Sequence, residues 1–250
     1  MGIADVTGKA VLVIGGGRGI GRAIAARFAE LGADVRLTGR DGARAAEVAA
    51  TLADAHSAKV SGHALDVTDR ARVREVVAEA RADVLVYNAG ISPSYSSAEK
   101  VSDSDWDDII ATNLTGAFVA AQAFARRLVE RNAPGAVVVV GSVNSVVGDP
   151  RLVAYTASKA GLAGMAKTMA LDWARYGIRV NTIAPGYVAT DLTAGLQSNE
   201  RLLKSLTDRT PQNRLAEPRE IADLVVFLAS DSAAFITGVV YPIDGGWTTQ

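Results

Sequence analysis

A doubly wound α/β sheet is the fold class that this sequence predicts, on three observations. Short apolar runs alternate with stretches of helical period along the whole chain. Several of those runs are rich in Val and Ile with little polar alternation, the pattern of parallel strands buried on both faces. A glycine-rich turn directly follows the first run and opens a helix. Strand and helix in alternation, joined by right-handed crossovers, give helices on both faces of one parallel sheet.

The elements follow in order. AVLVIG (10–15) reads as the first strand and GRAIAARFAELG as the helix returning from it. DVRLTG (34–39) precedes ARAAEVAATLADA, and VSGHALD (60–66) precedes RARVREVVAEARA. DVLVYNAG (83–90) leads into one long helical stretch, SDWDDIIATNLTGAFVAAQAFARRLVERN. GAVVVVGS (135–142) is followed by YTASKAGLAGMAKTMALDWARYG, and IRVNTIAPG (178–186) closes the regular rhythm. From about Thr190 to Pro218 the chain is polar and only helical in pieces, too long for a plain connection, and reads as a substrate lid. PREIADLVVFLAS and VVYPIDGG (239–246) complete a single domain spanning residues 1–250.

Composition removes several function classes. The 250 residues carry a net charge of -1, which offers no electrostatic footprint for nucleic acid or an anionic membrane surface. With no cysteine there is no disulfide, thiolate metal site or cysteine nucleophile, and a reducing compartment fits. The two histidines, His56 and His63, read as surface residues and cannot form a zinc site alone. No apolar run approaches the ~20 residues that cross a bilayer, and the first residues lack the basic start and apolar stretch of a secretory leader. The expectation is a cytoplasmic protein without membrane or nucleic-acid partners.

Two motifs carry chemistry. Gly15-Gly16-Gly17-Arg18-Gly19-Ile20-Gly21 lies between the first strand and its helix, where backbone can approach a pyrophosphate drawn by the helix N-terminus. Ser142 ends an apolar run, and Tyr155-x-x-x-Lys159 follows thirteen residues on. Residues four apart share a helix face, so the phenol and the ammonium point into one site. A neighbouring cation favours the ionised phenol, so a pKa below the ordinary tyrosine range is expected and, with it, acid–base use near neutral pH.

Gly15-x-x-x-Gly19-Ile20-Gly21, Asn88-Ala89-Gly90, Asn113, Ser142, Tyr155, Lys159, Pro185-Gly186 and Ile243-Asp244-Gly245-Gly246 stand in the order and spacing of the short-chain dehydrogenases/reductases, and the chain resembles that family over essentially its whole length. The resemblance implies a Rossmann fold with a seven-stranded parallel sheet, a nicotinamide dinucleotide cofactor and a homotetramer. It implies hydride exchange with a ketone or secondary alcohol. Tyr155 would be the general acid or base, Lys159 would favour the tyrosinate and hold the nicotinamide ribose, Ser142 would hold the substrate oxygen, and Asn113 would anchor a water behind Lys159. It places Gly15, Gly17, Gly19, Ile20 and Gly21 at the pyrophosphate, Arg18 and Arg40 near the adenosine 2′-position, Asp66 and Val67 at the adenine, and Asn88 at the adenosine ribose region, with Ala89 and Gly90 also binding the cofactor. Pro185, Gly186, Val188 and Thr190 would complete the nicotinamide end. Two positions depart from the family pattern: Ile14 replaces the usual threonine, and Tyr87 replaces the first asparagine of Asn-Asn-Ala-Gly. Both bear on a hydrogen bond that braces strand one against strand four.

Cofactor choice is read at the end of the second strand. Gly39 stands where the family's NAD enzymes carry an acid, and Arg40 follows it. With Arg18 nearby, two guanidiniums suit a 2′-phosphate by charge and by forked geometry, so NADP(H) is expected over NAD(H). The pocket wall is expected from Val143, Asn144, Val147, Gly148, Tyr187, Leu192, Leu196, Gln197 and Leu206. The stretch Gly148-Asp149-Pro150 and the tail resemble bacterial NADP-dependent alcohol dehydrogenases. Polyol and sugar dehydrogenases and 3-oxoacyl-carrier-protein reductases are alternatives, and an NADP-sensing regulator is the non-enzyme alternative. In some of those alcohol dehydrogenases the carboxylate of a final Gln binds Mg²⁺ through water, which the resemblance extends to Gln250.

Overall fold

The computed structural model describes residues 4–92, 95–190, 193, 195 and 199–249. Seven parallel strands form one sheet in the order β3-β2-β1-β4-β5-β6-β7. They are β1 (Ala10–Ile14), β2 (Asp34–Gly39), β3 (Val60–Ala64), β4 (Val84–Tyr87), β5 (Gly135–Val140), β6 (Ile178–Pro185) and β7 (Val240–Ile243). The strand order reverses between β1 and β4, and ligands of such sheets bind outside the carboxyl ends of the strands at that switch point.

The unalternating strands are explained by the two cores. Val11 and Val13 face one layer with Val35, Leu37, Val84, Val86 and Val138. Leu12 and Ile14 face the other with Leu85, Tyr87, Val137 and Val139. Successive side chains point to opposite faces and both faces are covered. Helices α1 (Gly19–Glu30), α2 (Gly42–His56) and α8 (Pro218–Ala229) supply Ile24, Phe28, Val48, Leu52, Ile221 and Val225 to the first layer. Helices α3 (Arg70–Ala80), α5 (Gly116–Glu130) and α6 (Val153–Trp173) supply Val73, Val77, Phe124, Leu128, Leu162 and Met169 to the second. Each fully buried Leu, Ile, Val or Phe contributes on the order of 1.5–3 kcal/mol.

Several helix starts are closed by their own side chains. Asp41 accepts from Arg44 N at 3.0 Å, Asp69 from Arg72 N at 3.0 Å, and Ser102 from Asp105 N at 3.1 Å. Helix α1 differs: Arg18 at its N-cap makes no side-chain cap bond. The first-turn N–H groups of α1 are therefore left to the cleft above them.

One element departs from the sequence expectation. The stretch read as a single helix is α4 (Asp103–Ile110) and α5 joined by a π-helical turn, Ala111–Thr115. A turn of that kind admits an extra residue and re-aims side chains, and here it holds Asn113. The region read as a lid contains α7 (Glu200–Asp208), started by Asn199 accepting from Leu202 N at 3.1 Å. Leu203 and Leu206 are half-buried and no residue of α7 is fully buried. Leu192, Leu196 and Gln197 lie outside the described residues. His56 and His63 are half-buried rather than at the surface. Among the described residues no helix is long and apolar enough to cross a membrane.

Candidate active site

Two adjoining hollows open at the carboxyl edge of the sheet. The first, about 280 Å³, is lined by Gly15, Gly17, Arg18, Gly39, Arg40, Asp41, Arg44, Leu65, Val67, Asn88, Ala89, Gly90, Ile91 and Thr112. The second, about 200 Å³, is lined by Ile20, Ser142, Val143, Asn144, Asp149, Leu152, Tyr155, Pro185, Gly186, Tyr187, Val188, Thr190 and Thr193. Most of the expected site residues divide between the hollows: Gly15, Gly17, Arg18, Arg40, Val67 and Asn88–Gly90 line the first, Ile20, Pro185, Gly186, Val188 and Thr190 line the second with Ser142 and Tyr155, and Gly19, Gly21, Asp66, Asn113 and Lys159 line neither.

The glycine turn fits a dinucleotide on steric grounds. Gly15 has φ +84° and a Cβ there would stand 2.7 Å from Ala89 N. A Cβ on Gly21 would collide with Gly15 O. The chain therefore packs α1 tightly under the cleft and keeps side chains out of it. Asn88 locks the turn to β4, donating from Nδ2 to Gly15 O at 2.8 Å and from its backbone N to Ile14 O at 2.9 Å. Strand one remains braced against strand four although Ile14 and Tyr87 depart from the family pattern. A Cβ on Gly19 would lie 3.5 Å from Thr190, so Thr190 touches the start of α1.

At the other end, Arg18 and Arg40 both border the cleft, and Arg44 on the first turn of α2 joins them. Val67 lines the wall, whereas Asp66 turns outward and uses Oδ1 on Thr68 N at 2.9 Å and Thr68 Oγ1 at 2.7 Å. Those bonds, with Arg40 a lesser cause, hold its carboxyl below the usual range. The glycine cradle and the uncapped start of α1 lie at one cleft, and Arg18, Arg40 and Arg44 gather along its border.

The chemistry-bearing side chains come from β5, α6 and the π-turn. Ser142 lies two residues past the end of β5, and its hydroxyl accepts from Asn144 N at 3.2 Å and donates to Asn144 Oδ1 at 3.1 Å. Tyr155 is half-buried on the first turn of α6. Burial pushes its phenol up, and a hydrogen bond with the Ser142 hydroxyl opposes that rise. Lys159 is 4% exposed, one turn further on. Its Nζ donates to Val140 O at 2.9 Å and sits 5.7 Å from the centre of the Tyr155 ring. Burial lowers this ammonium to about 8.

The expectation of a lowered phenol is therefore corrected. Burial is the largest influence on the phenol and raises it, and burial likewise disfavours the charge on Lys159, whose Nζ is directed to the Val140 carbonyl. Asn113 is fully buried and bonded through both ends of its amide: Oδ1 accepts from Ile91 N at 2.8 Å, and Nδ2 donates to Ile91 O at 3.0 Å and to Ser158 Oγ at 3.1 Å. Ser158 Oγ in turn donates to Tyr155 O at 2.7 Å, which ties the π-turn to α6.

Sequence reasoning did not single out Ser158, Thr112 or Arg44. Ser158 lies between Tyr155 and Lys159 on a helix, and a serine buried there needs a partner, which was the available signal. Asp149 borders the second hollow, and Tyr187, its pKa pushed up to about 12 by burial and then by Asp149, packs edge-on to Trp247 at 5.0 Å. Trp247 belongs to the C-terminal tail, which Asp244 folds by accepting from Gly246 N, Thr248 N and Thr248 Oγ1. Gln250, the expected Mg²⁺ position, lies outside the described residues; among the described ones no group of three or more His, Asp or Glu is placed to hold a metal.

The comparisons with known proteins agree with this geometry. A family model described as enoyl-(acyl carrier protein) reductase matches residues 15–248. Gluconate 5-dehydrogenase of Gluconobacter oxydans is 37% identical over 98% of this chain and 97% of its own. The 3-oxoacyl-[acyl-carrier-protein] reductase of Escherichia coli is 39% identical over 96% of this chain and 97% of its own. The crystal structure of a gluconate 5-dehydrogenase from Burkholderia cenocepacia, in complex with NADP and tartrate, superposes with a TM-score of 0.93 at 34% identity, covering 99% of each chain. This chain belongs to the short-chain dehydrogenase/reductase family and is an oxidoreductase acting on CH–OH groups.

Proposed function

We propose that the protein is an NADP(H)-preferring carbonyl reductase or secondary-alcohol dehydrogenase in which Tyr155 is the general acid and base. The observation that carries this reading is the placement of Tyr155 and Ser142 on one wall of the second hollow, with Lys159 buried one helical turn behind. The nicotinamide cofactor supplies or accepts the hydride at the carbonyl carbon when bound. In reduction the carbonyl π-electrons move to oxygen, which takes the Tyr155 proton while the Ser142 hydroxyl holds it in place. A phenol held above its ordinary range is fully protonated at neutral pH and suits donation. Lys159 positions the nucleotide ribose and answers the charge left on the tyrosine. Asn113, held in the π-turn, anchors a water that links Lys159 to solvent.

Three lines support the finer assignments. Arg18, Arg40 and Arg44 around one end of the cleft favour a 2′-phosphate, and a structural relative binds NADP. The exposed apolar faces of α5 and α6 favour a homotetramer. The cysteine-free chain suits the cytoplasm. The segment 190–218 acts as the substrate lid of a single domain. A second reading, a polyol or sugar dehydrogenase, is favoured by Asn144, Asp149 and Tyr187, which offer hydrogen-bonding partners for further hydroxyls beside Ser142.

The test is cofactor oxidation, NADPH beside NADH, across aryl ketones, aliphatic ketones, keto-sugars and 3-oxoacyl thioesters, with Y155F as control. We expect turnover with NADPH and a loss of at least about 100-fold in Y155F with NADPH binding intact. Unchanged turnover in Y155F would remove Tyr155 from the mechanism. The best carbonyl selects between the two readings.

A further inference from the structure

The residue that breaks the family pattern at the end of β4 has a structural task of its own. Tyr87 is 1% exposed and its hydroxyl donates to Thr112 O at 2.5 Å. Thr112 lies inside the π-turn, next to Asn113. Turns of this kind leave helical carbonyls poorly served by the regular ladder, and a buried carbonyl needs a donor. Tyr87 supplies it from the sheet below. The hydroxyl is also confined on its far side: a Cβ on Gly116 would stand 2.5 Å from it and 3.1 Å from Val67 Cβ. Gly116 therefore leaves the room that the phenol occupies.

From Thr112 the contacts lead straight to the reacting groups. Asn113 clamps both backbone polar groups of Ile91 and reaches Ser158, whose hydroxyl bonds the Tyr155 carbonyl. Gly90 is wedged between the two functional side chains, with Lys159 Nζ at 3.4 Å and Asn113 Oδ1 at 3.5 Å from where its Cβ would be. A shift of the π-turn moves Asn113, and Asn113 moves the β4 end and the Tyr155–Lys159 helix together.

We propose that Tyr87 is a positioning residue of the hydride-transfer site, holding through Thr112 the π-turn that presents Asn113 to Ile91 and Ser158. The inference rests on the reading of Tyr155 and Lys159 as the reacting pair. Its mechanical half, that Tyr87 fixes Asn113, stands apart from that reading.

Two measurements separate the two. The first is native-state amide exchange in Y87F, in G116A and in N113A, read at Ile91 N–H, the donor to Asn113. We expect exchange at Ile91 to speed up about tenfold or more in Y87F, as a local opening would, with Val13 and Val86 in β1 and β4 unchanged. G116A, which keeps the hydroxyl but crowds it, reproduces the effect even where Y87F folds poorly. Adding Y87F to N113A changes Ile91 exchange no further. Exchange at Ile91 unchanged in both Y87F and G116A, or raised equally throughout β1 and β4, overturns the inference. The second is steady-state kinetics with the fastest carbonyl of the panel. A misplaced reacting group costs up to about 100-fold, so we expect Y87F to lower kcat by roughly tenfold with the KM for NADPH within about twofold. Equal kcat in Y87F and parent, or a loss confined to KM, overturns the positioning role. Full turnover in Y155F instead defeats the catalytic reading and leaves the exchange result to judge Tyr87 alone.

Discussion

Lys159 is the residue on which burial and charge are in open conflict. Its ammonium is held to about 8 by desolvation and has Val140 O as its bonding partner. An unfolded lysine titrates near ~10.4. The folded state therefore disfavours the bound proton, and the sign follows from linkage. Below about pH 8 both states carry the proton and the full cost of burying the charge is present. Between that point and the unfolded pKa the unfolded chain binds more protons than the folded one, so stability rises with pH. A neutral Lys159→Met variant lacks this dependence. Denaturant unfolding of parent and K159M at several pH values should show the parent gaining on the variant from about pH 8 upward, by about 3 kcal/mol in all. Parallel curves would mean that Lys159 is better hydrated than its burial suggests. The same conflict explains why spacing alone misjudged Tyr155. Tyr-x-x-x-Lys states which groups share a helix face, but not that Nζ turns to a strand carbonyl or that burial dominates the phenol.

The elements around the cleft sort into those the chain announces and those it conceals. β1, the glycine turn and α1 were legible because close packing leaves glycine at Gly15 and Gly21 and because buried parallel strands lack alternation. The end of β2 carries Arg40 and no acid, and Gly39 and Arg40 border the cleft. Replacing Arg40 with Asp puts a carboxylate at the mouth of the cleft that Arg18 and Arg44 also border. A charge-assisted hydrogen bond is worth ~1.5–3 kcal/mol, so the KM for NADPH should rise on the order of 10–100-fold in R40D, while NADH use improves. An unaltered NADPH KM would place the 2′-phosphate elsewhere. Arg44 was hidden because its position on α2 depends on Asp41 starting that helix two residues after Arg40. The π-turn was hidden more deeply. IIATNLTGAF has an apolar period that continues across it, and only the buried Tyr87 hydroxyl and the Asn113 amide, bonded through both ends, show why the helix opens there. The tail was read by likeness only; its fold depends on the three bonds to Asp244 and on Trp247 beneath Arg209, 4.2 Å from the ring centre, which no local pattern encodes.

Across the whole molecule, α5 and α6 carry more apolar surface than one sheet can cover. Their inner faces bury Ala117, Ala121, Phe124, Leu128, Leu162, Ala166 and Met169 against the second core. On the outside Phe118 is 42% exposed, and Val129 and Tyr176 are each 38% exposed. Phe118, Gln122, Ala125 and Val129 follow one another at intervals of four, three and four, a stripe along one side of α5. Met165, Thr168, Asp172 and Tyr176 continue it along the α6 side of a groove of about 690 Å³. Two parallel ridges with a groove between them are the shape that receives the same pair of helices from another copy, since a two-fold interface pairs a patch with itself. The proposed tetramer would cover this face, and a charge in the groove should prevent it. Sedimentation of the parent should give about four times the 26.0 kDa chain mass. Phe118→Glu should fall to dimer or monomer with its NADPH binding retained, because Phe118 lies outside both hollows at the sheet edge. A parent that sediments as a monomer at micromolar concentration would overturn the tetramer, and an F118E protein of unchanged mass would place the subunit contacts on another face of the molecule.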